Sequence, residues 1–167
     1  SDKNIWVGSK MYPYPKLFET GKPLRFNDDS ITKVNQKGEI LYIKSVSKIL
    51  IENGIFGQEL FHLGNNPIHL NDIEPAFHDT QYWKKGDLFL SIRNQSAIIH
   101  YRPSNNKVIN YIKGPFYMQH DVDIISDKEI SIFNNNMTAL ENSKYSEILI
   151  YNFETKTFLK KFNKQLQ

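Results

Sequence analysis

The chain has 167 residues, 40% of them hydrophobic, with a net charge of +3 and no cysteine. That length and apolar fraction suffice for one globular domain with a sizeable core. The lack of cysteine excludes disulfides and thiolate metal sites, the lack of a long apolar run excludes a transmembrane helix in this sequence, and the dispersed Lys and Arg argue against a nucleic-acid partner.

Short runs rich in Ile, Val, Leu, Phe and Tyr alternate with clusters of Asn, Asp, Gly, Pro and Lys. Such runs predict β-strands joined by turns. In chain order the predicted strands cover residues 5–10, 31–35, 39–46, 73–77, 87–93, 97–102, 108–113, 121–126, 129–133, 147–153 and 158–162. One segment departs from this pattern, because Val46, Ile49 and Leu50 are spaced as on a helix, after Ser45 as N-cap and before Gly54 as stop. We predict a short helix there, with an edge strand as the alternative.

The strands repeat at a fairly regular interval. Phe89 to Phe133 spans 44 positions and Ile99 to Ile150 spans 51, and four strands per such unit is typical of β-propeller blades. The sequence therefore predicts an all-β fold, a β-propeller of four-stranded antiparallel blades with about three blades present. The predicted divisions are an incomplete blade over 1–46, an insertion containing the helix over 47–72, and blades over 73–113 and 114–167. Three blades are too few to close a ring, so we expect self-association, or blades outside this sequence, to complete it.

The second strand of the blade over 73–113 has two apolar faces. Leu88, Leu90 and Ile92 share one face, and Phe89 lies on the other with Ser91. Burial on both faces is expected when a sheet lies between two neighbours.

Two histidines occupy matching places in this repeat. His69 and His120 lie 51 positions apart, each just before the first strand of a blade, where loops of a propeller gather around the central channel. Asn71 follows His69, and Arg93 ends the second strand of the blade between the histidines. These four side chains would form an oxyanion site, because Arg offers a planar fork of donors and His can act as nucleophile or as acid and base near neutral pH.

Four motifs carry a family resemblance. They are HLNDIE over 69–74, GDLFLSIRN over 86–94, QHD over 119–121 behind a Gly-Pro loop, and IFNN over 132–135. In this order they resemble the motifs of the arylsulfotransferase family, bacterial propeller proteins similar to the aryl-sulfate sulfotransferases. The similarity runs over residues 29–162.

The resemblance implies a six-bladed propeller with its site in the central channel, in a periplasmic, exported or membrane-anchored protein. It implies transfer of a sulfuryl group from an aryl sulfate to a phenolic acceptor through a sulfohistidine, with no nucleotide donor and no cofactor. By motif His120 matches the nucleophile, and three residues match groups that hold the sulfate oxygens: His69, Asn71 and Arg93. Fixed cationic and N–H donors would stabilise the charge on the transferring group.

Two departures from the family pattern keep a second interpretation open. Asp121 directly follows His120, and Asn134 stands where many relatives carry an acidic residue. A non-catalytic propeller that binds a ligand or serves as a scaffold is therefore the alternative, since one fold hosts many functions.

Carboxylates near the same strand starts offer a cation site as an alternative to turn caps and ion pairs. They are Asp72, Glu74, Asp121 and Asp123. We favour the role as turn caps and ion-pair partners, and we predict no metal site. The remaining histidines fit no motif and are predicted to lie in the core or at the surface: His62, His78 and His100.

Overall fold

The fold of residues 3–12, 27–55, 65–136 and 146–161 is described by a computed structural model. Within these ranges the chain forms three antiparallel sheets and one short α-helix. The predicted all-β class is confirmed, and every predicted strand has a counterpart. The fourth strand begins at residue 70, three positions before its predicted start, and residue 162 lies outside the described ranges. In this part of the chain we find no helix long and apolar enough to cross a membrane.

The strands follow the chain order within each sheet. The first sheet contains β1 (Ile5–Lys10), β2 (Asp29–Val34) and β3 (Ile40–Ser45). The second contains β4 (Leu70–Pro75), β5 (Leu88–Ile92), β6 (Ala97–Arg102) and β7 (Lys107–Ile112). The third contains β8 (Val122–Ser126), β9 (Glu129–Asn134), β10 (Glu147–Asn152) and β11 (Thr157–Lys161).

The single helix, α1 (Val46–Glu52), follows β3 without a break. Ser45 is its N-cap, with Oγ accepting a hydrogen bond from the backbone N of Lys48 at 3.0 Å. Gly54 follows the helix with φ of +69°, a left-handed conformation that glycine adopts without Cβ strain. The predicted helix is confirmed, and the edge-strand alternative is wrong.

The second sheet lies between the other two. Leu88, Leu90 and Ile92 of β5 share a buried core with Ile31 of the first sheet. Phe89, on the opposite face of the same strand, shares a separate core with the third sheet. Fully burying a side chain of this size contributes about 1.5–3 kcal/mol. The two-faced pattern of β5 therefore fixes the order in which the sheets stack.

Neighbouring sheets are joined at the strands that carry the candidate site. The backbone N–H of Val122, which opens β8, donates to Oδ2 of Asp72 in β4 at 3.2 Å. In the same way the backbone N–H of Leu70, which opens β4, donates to Oδ2 of Asp29 in β2 at 2.9 Å. β4 and β8 are sheet edges, so these carboxylates satisfy backbone donors that have no strand partner on that side.

Candidate functional site

The loops that lead into β4 and β8 are each anchored by an asparagine side chain near the end of the second strand of the same sheet. Asn94 Nδ2 donates to the carbonyl oxygen of Asn66 at 2.6 Å, and Asn134 Oδ1 accepts from the backbone N of Tyr117 at 2.8 Å. The anchored residue in each loop lies three positions before a candidate histidine. The 51-residue spacing therefore corresponds to a repeated local structure.

His69 is half-buried and sits in a left-handed backbone conformation, with φ of +54°. Its Nδ1 lies 2.9 Å from Nδ2 of Asn66. With the Asn66 amide turned so that its nitrogen faces the ring, it donates to Nδ1, and Nε2 then carries the proton of the neutral ring. Burial lowers the pKa of His69, and the charge of Arg93 lowers it further. His69 is therefore a neutral imidazole at pH 7 with one N–H available to a ligand.

Cationic and anionic side chains both lie near His69. After burial, the charge of Arg93 lowers the pKa of His69 most, the charge of Asp29 raises it, and the charge of Lys10 lowers it further. Lys10 is paired with Asp29, whereas Arg93 has no carboxylate within ion-pair distance among the described residues. Arg93 is therefore the charge that favours an anionic ligand here.

Arg93 opens a single 3₁₀ turn directly after β5. Its backbone N donates to the carbonyl oxygen of His69 at 3.0 Å, and its Nη1 donates to Oδ1 of Asn94 at 2.9 Å. Across the described ranges its guanidinium has no carboxylate within ion-pair distance. The half-buried guanidinium therefore keeps its full charge for a ligand.

Asn71 lies at a β-bulge between Leu70 and Asp72. Its Nδ2 donates to the carbonyl oxygen of Gln119 at 3.1 Å. Gln119 is fully buried, with Nε2 donating to the carbonyl oxygen of Ala97 at 2.9 Å. Asn71 thus fixes the residue before His120, and its contact with a sulfate oxygen stays a prediction.

His120 is exposed, and only its backbone is bonded. Its N donates to the carbonyl oxygen of Phe133 at 2.9 Å, and the N of Phe133 donates to the carbonyl oxygen of Asp121 at 3.0 Å, which extends the β8–β9 ladder. No hydrogen bond to the His120 imidazole occurs within the described residues. The carboxylate of Asp121 is also exposed there and makes no bond to this imidazole. The backbone of His120 is therefore fixed while its imidazole is open to solvent. This arrangement is compatible with a nucleophilic role, which stays a prediction.

The Gly-Pro loop before His120 requires its glycine for close packing. A Cβ on Gly114 would lie 2.6 Å from a ring carbon of Phe158 and 3.0 Å from a ring carbon of Phe116. The first contact is shorter than real Cβ atoms make and the second is tight, so the Phe158 ring would have to shift for a larger residue at position 114.

Beside His69 lies a cavity of about 370 Å³ between the first and second sheets. Its other lining residues are Gly8, Ser9, Lys10, Asp29 and Leu70. Lys10 Nζ lies 2.5 Å from Oδ1 of Asp29, so this second cation is neutralised by a carboxylate. Sequence analysis missed Lys10 and Asp29, because nothing local links β1 or β2 to the histidine motif.

Two carboxylates of the predicted cluster accept hydrogen bonds from backbone N–H groups of β8. Besides the Asp72 contact, Glu74 Oε1 accepts from the backbone N of Ile124 at 3.5 Å. The pKa of Asp72 is raised first by burial and also by the charge of Asp121. Among the residues described here, no group of three or more potential ligands is arranged to hold a metal ion.

A second histidine cluster lies at the opposite end of β5. Asp87 is buried, accepting from Nε2 of His100 at 2.8 Å and from Nε and Nη2 of Arg102 at 2.7 Å each. Asn110 Nδ2 donates to Nδ1 of His100 at 3.0 Å. His100 is fully buried, as a core residue, and His78 is exposed, 2.9 Å from Asp127. His62 lies outside the described residues.

Together these features define an all-β protein in which a neutral imidazole and a guanidinium without a carboxylate partner among the described residues lie side by side, at the start of β4 and the end of β5. The sequence profile of a family described as Arylsulfotransferase (ASST) matches residues 1–167, the whole chain. The chain belongs to the arylsulfotransferase family, and the resemblance carried by the four motifs is confirmed. No curated protein and no solved structure matches it.

Proposed function

We propose that this chain forms part of an arylsulfotransferase site that moves a sulfuryl group from an aryl sulfate to a phenolic acceptor through His120. The observation that carries the proposal is the cluster of His69, Arg93 and His120, in which the guanidinium has no carboxylate partner among the described residues and the His120 imidazole is exposed. Family membership supports the same chemistry.

We infer that the three sheets are blades of a β-propeller. Two contacts support this arrangement: the second sheet packs against a neighbour on each face, and Asp72 and Glu74 of β4 bond successive backbone donors of β8 in parallel order. Parallel first strands that contact one another are the pattern of adjacent blades around a channel.

The proposed reaction has two halves. A neutral imidazole nitrogen of His120 attacks the sulfur of the aryl sulfate, an N–S bond forms, and the S–O(aryl) bond breaks with its electron pair on the phenolate oxygen. The acceptor phenol oxygen then attacks the sulfur, the N–S bond breaks, and the imidazole nitrogen regains its electron pair. The proton lost by the acceptor balances the proton gained by the departing phenolate.

Charge stabilisation in this reaction falls to two side chains. The Arg93 guanidinium and the Nε2–H of His69 are the free donors of the cluster, and they would hold the oxygens of the transferring group. Asn71 would act on the same step by holding the carbonyl next to His120.

Incubation of the protein with an aryl sulfate and a phenol acceptor tests this function. We expect release of the donor phenol and a sulfuryl mass increment on the His120 peptide, both lost in His120→Ala. His78→Ala is the matched control, because His78 is exposed and lies in no motif. Sulfation elsewhere, or turnover that survives His120→Ala, would overturn the proposal.

A non-catalytic anion-binding module is the second candidate. It is favoured by the Asn71 side chain, which bonds a backbone carbonyl instead of pointing an N–H at a ligand, and by the acidic neighbour Asp121. On this alternative the protein binds inorganic sulfate, His120→Ala leaves that affinity unchanged, and no sulfated histidine forms.

We also propose that the outer face of the first sheet is covered, by self-association or by further blades. Ile5, Val7, Ile40 and Ile43 are 59%, 39%, 61% and 48% exposed on its strands. Light scattering tests self-association: we expect an oligomer that Ile43→Asp shifts towards monomer. A parent protein that is monomeric at all concentrations would leave only further blades to cover this face.

A further inference from the structure

We propose that Asn94 is the positioning residue of this site, holding the guanidinium of Arg93 in place beside His69. The inference rests on the proposed function, because it assigns the residue that prepares the anion-binding donor. Asn94 belongs to a motif of the sequence, yet nothing in the spacing of the four site residues singles it out.

Three hydrogen bonds place Asn94 between the two donors. Its Oδ1 accepts from Nη1 of Arg93 at 2.9 Å, and its Nδ2 donates to the carbonyl oxygen of Asn66 at 2.6 Å. Its backbone N donates to the carbonyl oxygen of Ile68 at 3.2 Å. Asn66 in turn bonds Nδ1 of His69 at 2.9 Å. One amide thus connects the guanidinium to the loop that orients the imidazole.

The chemistry of an amide suits this role. Asn94 Oδ1 orients the guanidinium without an opposing charge, so Arg93 stays available to an oxyanion. Arg102 shows the contrary case in the same sheet, since Asp87 takes both of its forked donors and raises its pKa. A carboxylate at position 94 would neutralise the site that it positions.

Comparison with the third sheet distinguishes the two roles of Asn94, loop anchoring and arginine positioning. Asn134 occupies the corresponding place, but the residue before it is Phe133, so no guanidinium is present. Its Oδ1 accepts from the backbone N of Tyr117 and of Asn136 instead, at 2.8 and 3.0 Å. Loop anchoring is therefore the shared task, and holding an arginine is particular to Asn94.

The matched control is Gln95, whose buried side chain anchors the same loop. Its Nε2 donates to the carbonyl oxygen of Pro67 at 2.8 Å, without touching the guanidinium. We expect Asn94→Ala to weaken binding of inorganic sulfate about tenfold, one lost charge-assisted hydrogen bond. We also expect it to raise the pKa of His69 in an NMR titration, because the guanidinium moves away. Gln95→Ala should change both quantities far less.

A double-mutant cycle separates positioning from a general loss of structure. In an Arg93→Ala background, Asn94→Ala should have a much smaller effect on sulfate affinity than in the parent, limited to its anchoring of the Asn66 loop. An equal loss in both backgrounds, or an unchanged His69 pKa in Asn94→Ala, would overturn the inference. Asn94→Asp is a second variant that keeps the acceptor for Arg93 and adds a charge. It should weaken sulfate binding more than Asn94→Ala, and sulfate affinity equal to the parent would count against the inference.

The two proposals fail in different ways. Sulfate binding that depends on Asn94, without any sulfated His120, would reject the transfer reaction and leave the positioning role standing. Turnover through His120 that is unaffected by Asn94→Ala would reject the positioning role alone.

Discussion

The two ends of β5 carry the same kinds of side chain in opposite arrangements. Before the strand, Asp87 binds His100 and Arg102 in a buried, closed network. After the strand, Arg93 lies beside His69, with an amide as its partner. Arginine and histidine therefore do not by themselves mark a functional site. The carboxylate makes the difference, because Asp87 pairs with the Arg102 guanidinium at one end, and no described carboxylate pairs with Arg93 at the other.

Burial separates the two ends further. His100 is fully buried, stacks on Phe89 at 4.7 Å and has both ring nitrogens bonded. His120 is exposed, with an imidazole that no described residue bonds. A ligand can therefore reach the His120 imidazole and not the His100 imidazole. This difference agrees with a structural role for the network around Asp87 and with the binding role that we propose for Arg93, His69 and His120.

Removal of the shared carboxylate should have the largest effect on the closed cluster. Asp87→Ala leaves the buried His100 N–H without an acceptor and releases the Arg102 fork, and we expect a loss of about 1–3 kcal/mol in the free energy of unfolding. Urea denaturation measures it. Asp127→Ala is the control, because it removes an exposed histidine–carboxylate pair and should leave the midpoint unchanged. A small loss for Asp87→Ala would mean that the network contributes little.

Removal of the Arg93 guanidinium should weaken sulfate binding and leave the stability nearly unchanged. Arg93→Ala should leave the free energy of unfolding within about 0.5 kcal/mol of the parent value, because in the described part of the chain this side chain has no ion pair to lose. We expect inorganic sulfate binding to weaken by at least about tenfold, measured by calorimetry. Arg93→Lys should not restore it, since an ammonium lacks the planar fork. A strong loss of stability would reduce the contrast between the two ends of β5.

Acidification should destabilise the folded protein through His100, which is buried in the network around Asp87. Burial lowers the pKa of His100 below its ordinary value of 6.5, so below that pH the unfolded chain takes up a proton that the folded chain refuses. The corresponding stability is complete above pH 6.5 and is lost as the pH falls towards the folded pKa. Denaturation at about pH 7.5 and about pH 5.5 measures the loss.

His69 contributes in the same direction, because its pKa is also lowered. The variant His69→Gln should therefore retain the His100 part of the acid sensitivity. NMR titration gives the control, since the folded His100 ring should stay neutral where free imidazole is half-protonated. A His100 pKa at or above 6.5 would contradict the argument.

The smallest expected effect concerns the exposed carboxylates near His120. Burial first, and then the charge of Asp121, raises the pKa of Asp123. A raised folded pKa favours the folded state at low pH, and that benefit is lost as the pH rises through it. Asp123→Asn should therefore be slightly more stable than the parent at neutral pH, with the difference shrinking in acid. Thermal unfolding at both pH values checks it, and a less stable variant would contradict the sign.

Local patterns predicted most of the fold. The alternating faces of β5 gave its two neighbours, and Ser45 with Gly54 gave the helix bounds, because faces and caps depend on residues close in sequence. The start of β4 was placed three positions late, since Leu70 is ordered by the distant Asp29. No local pattern contains that bond.

The candidate site was predicted less completely. Arg93 does lie beside His69, because its backbone N bonds the carbonyl oxygen of His69, but the amide of Asn71 is held by Gln119. The place of His120 in the site stays a prediction, and no pattern in the sequence singled out Asn94, Lys10 or Asp29. The direction of a side chain, and the strand that packs beside it, depend on contacts between sheets.

Arg93 and His69, at the end of β5, show which features depend on the sequence alone and which depend on the tertiary structure. The sequence by itself determined the repeat, the family motifs and the matching places of His69 and His120, since strand period and motif order are properties of the chain. Only the tertiary structure decided that Arg102 is paired with a carboxylate while Arg93, among the described residues, is not. That outcome depends on which partner, an amide or a carboxylate, folding brings within hydrogen-bond distance of each guanidinium.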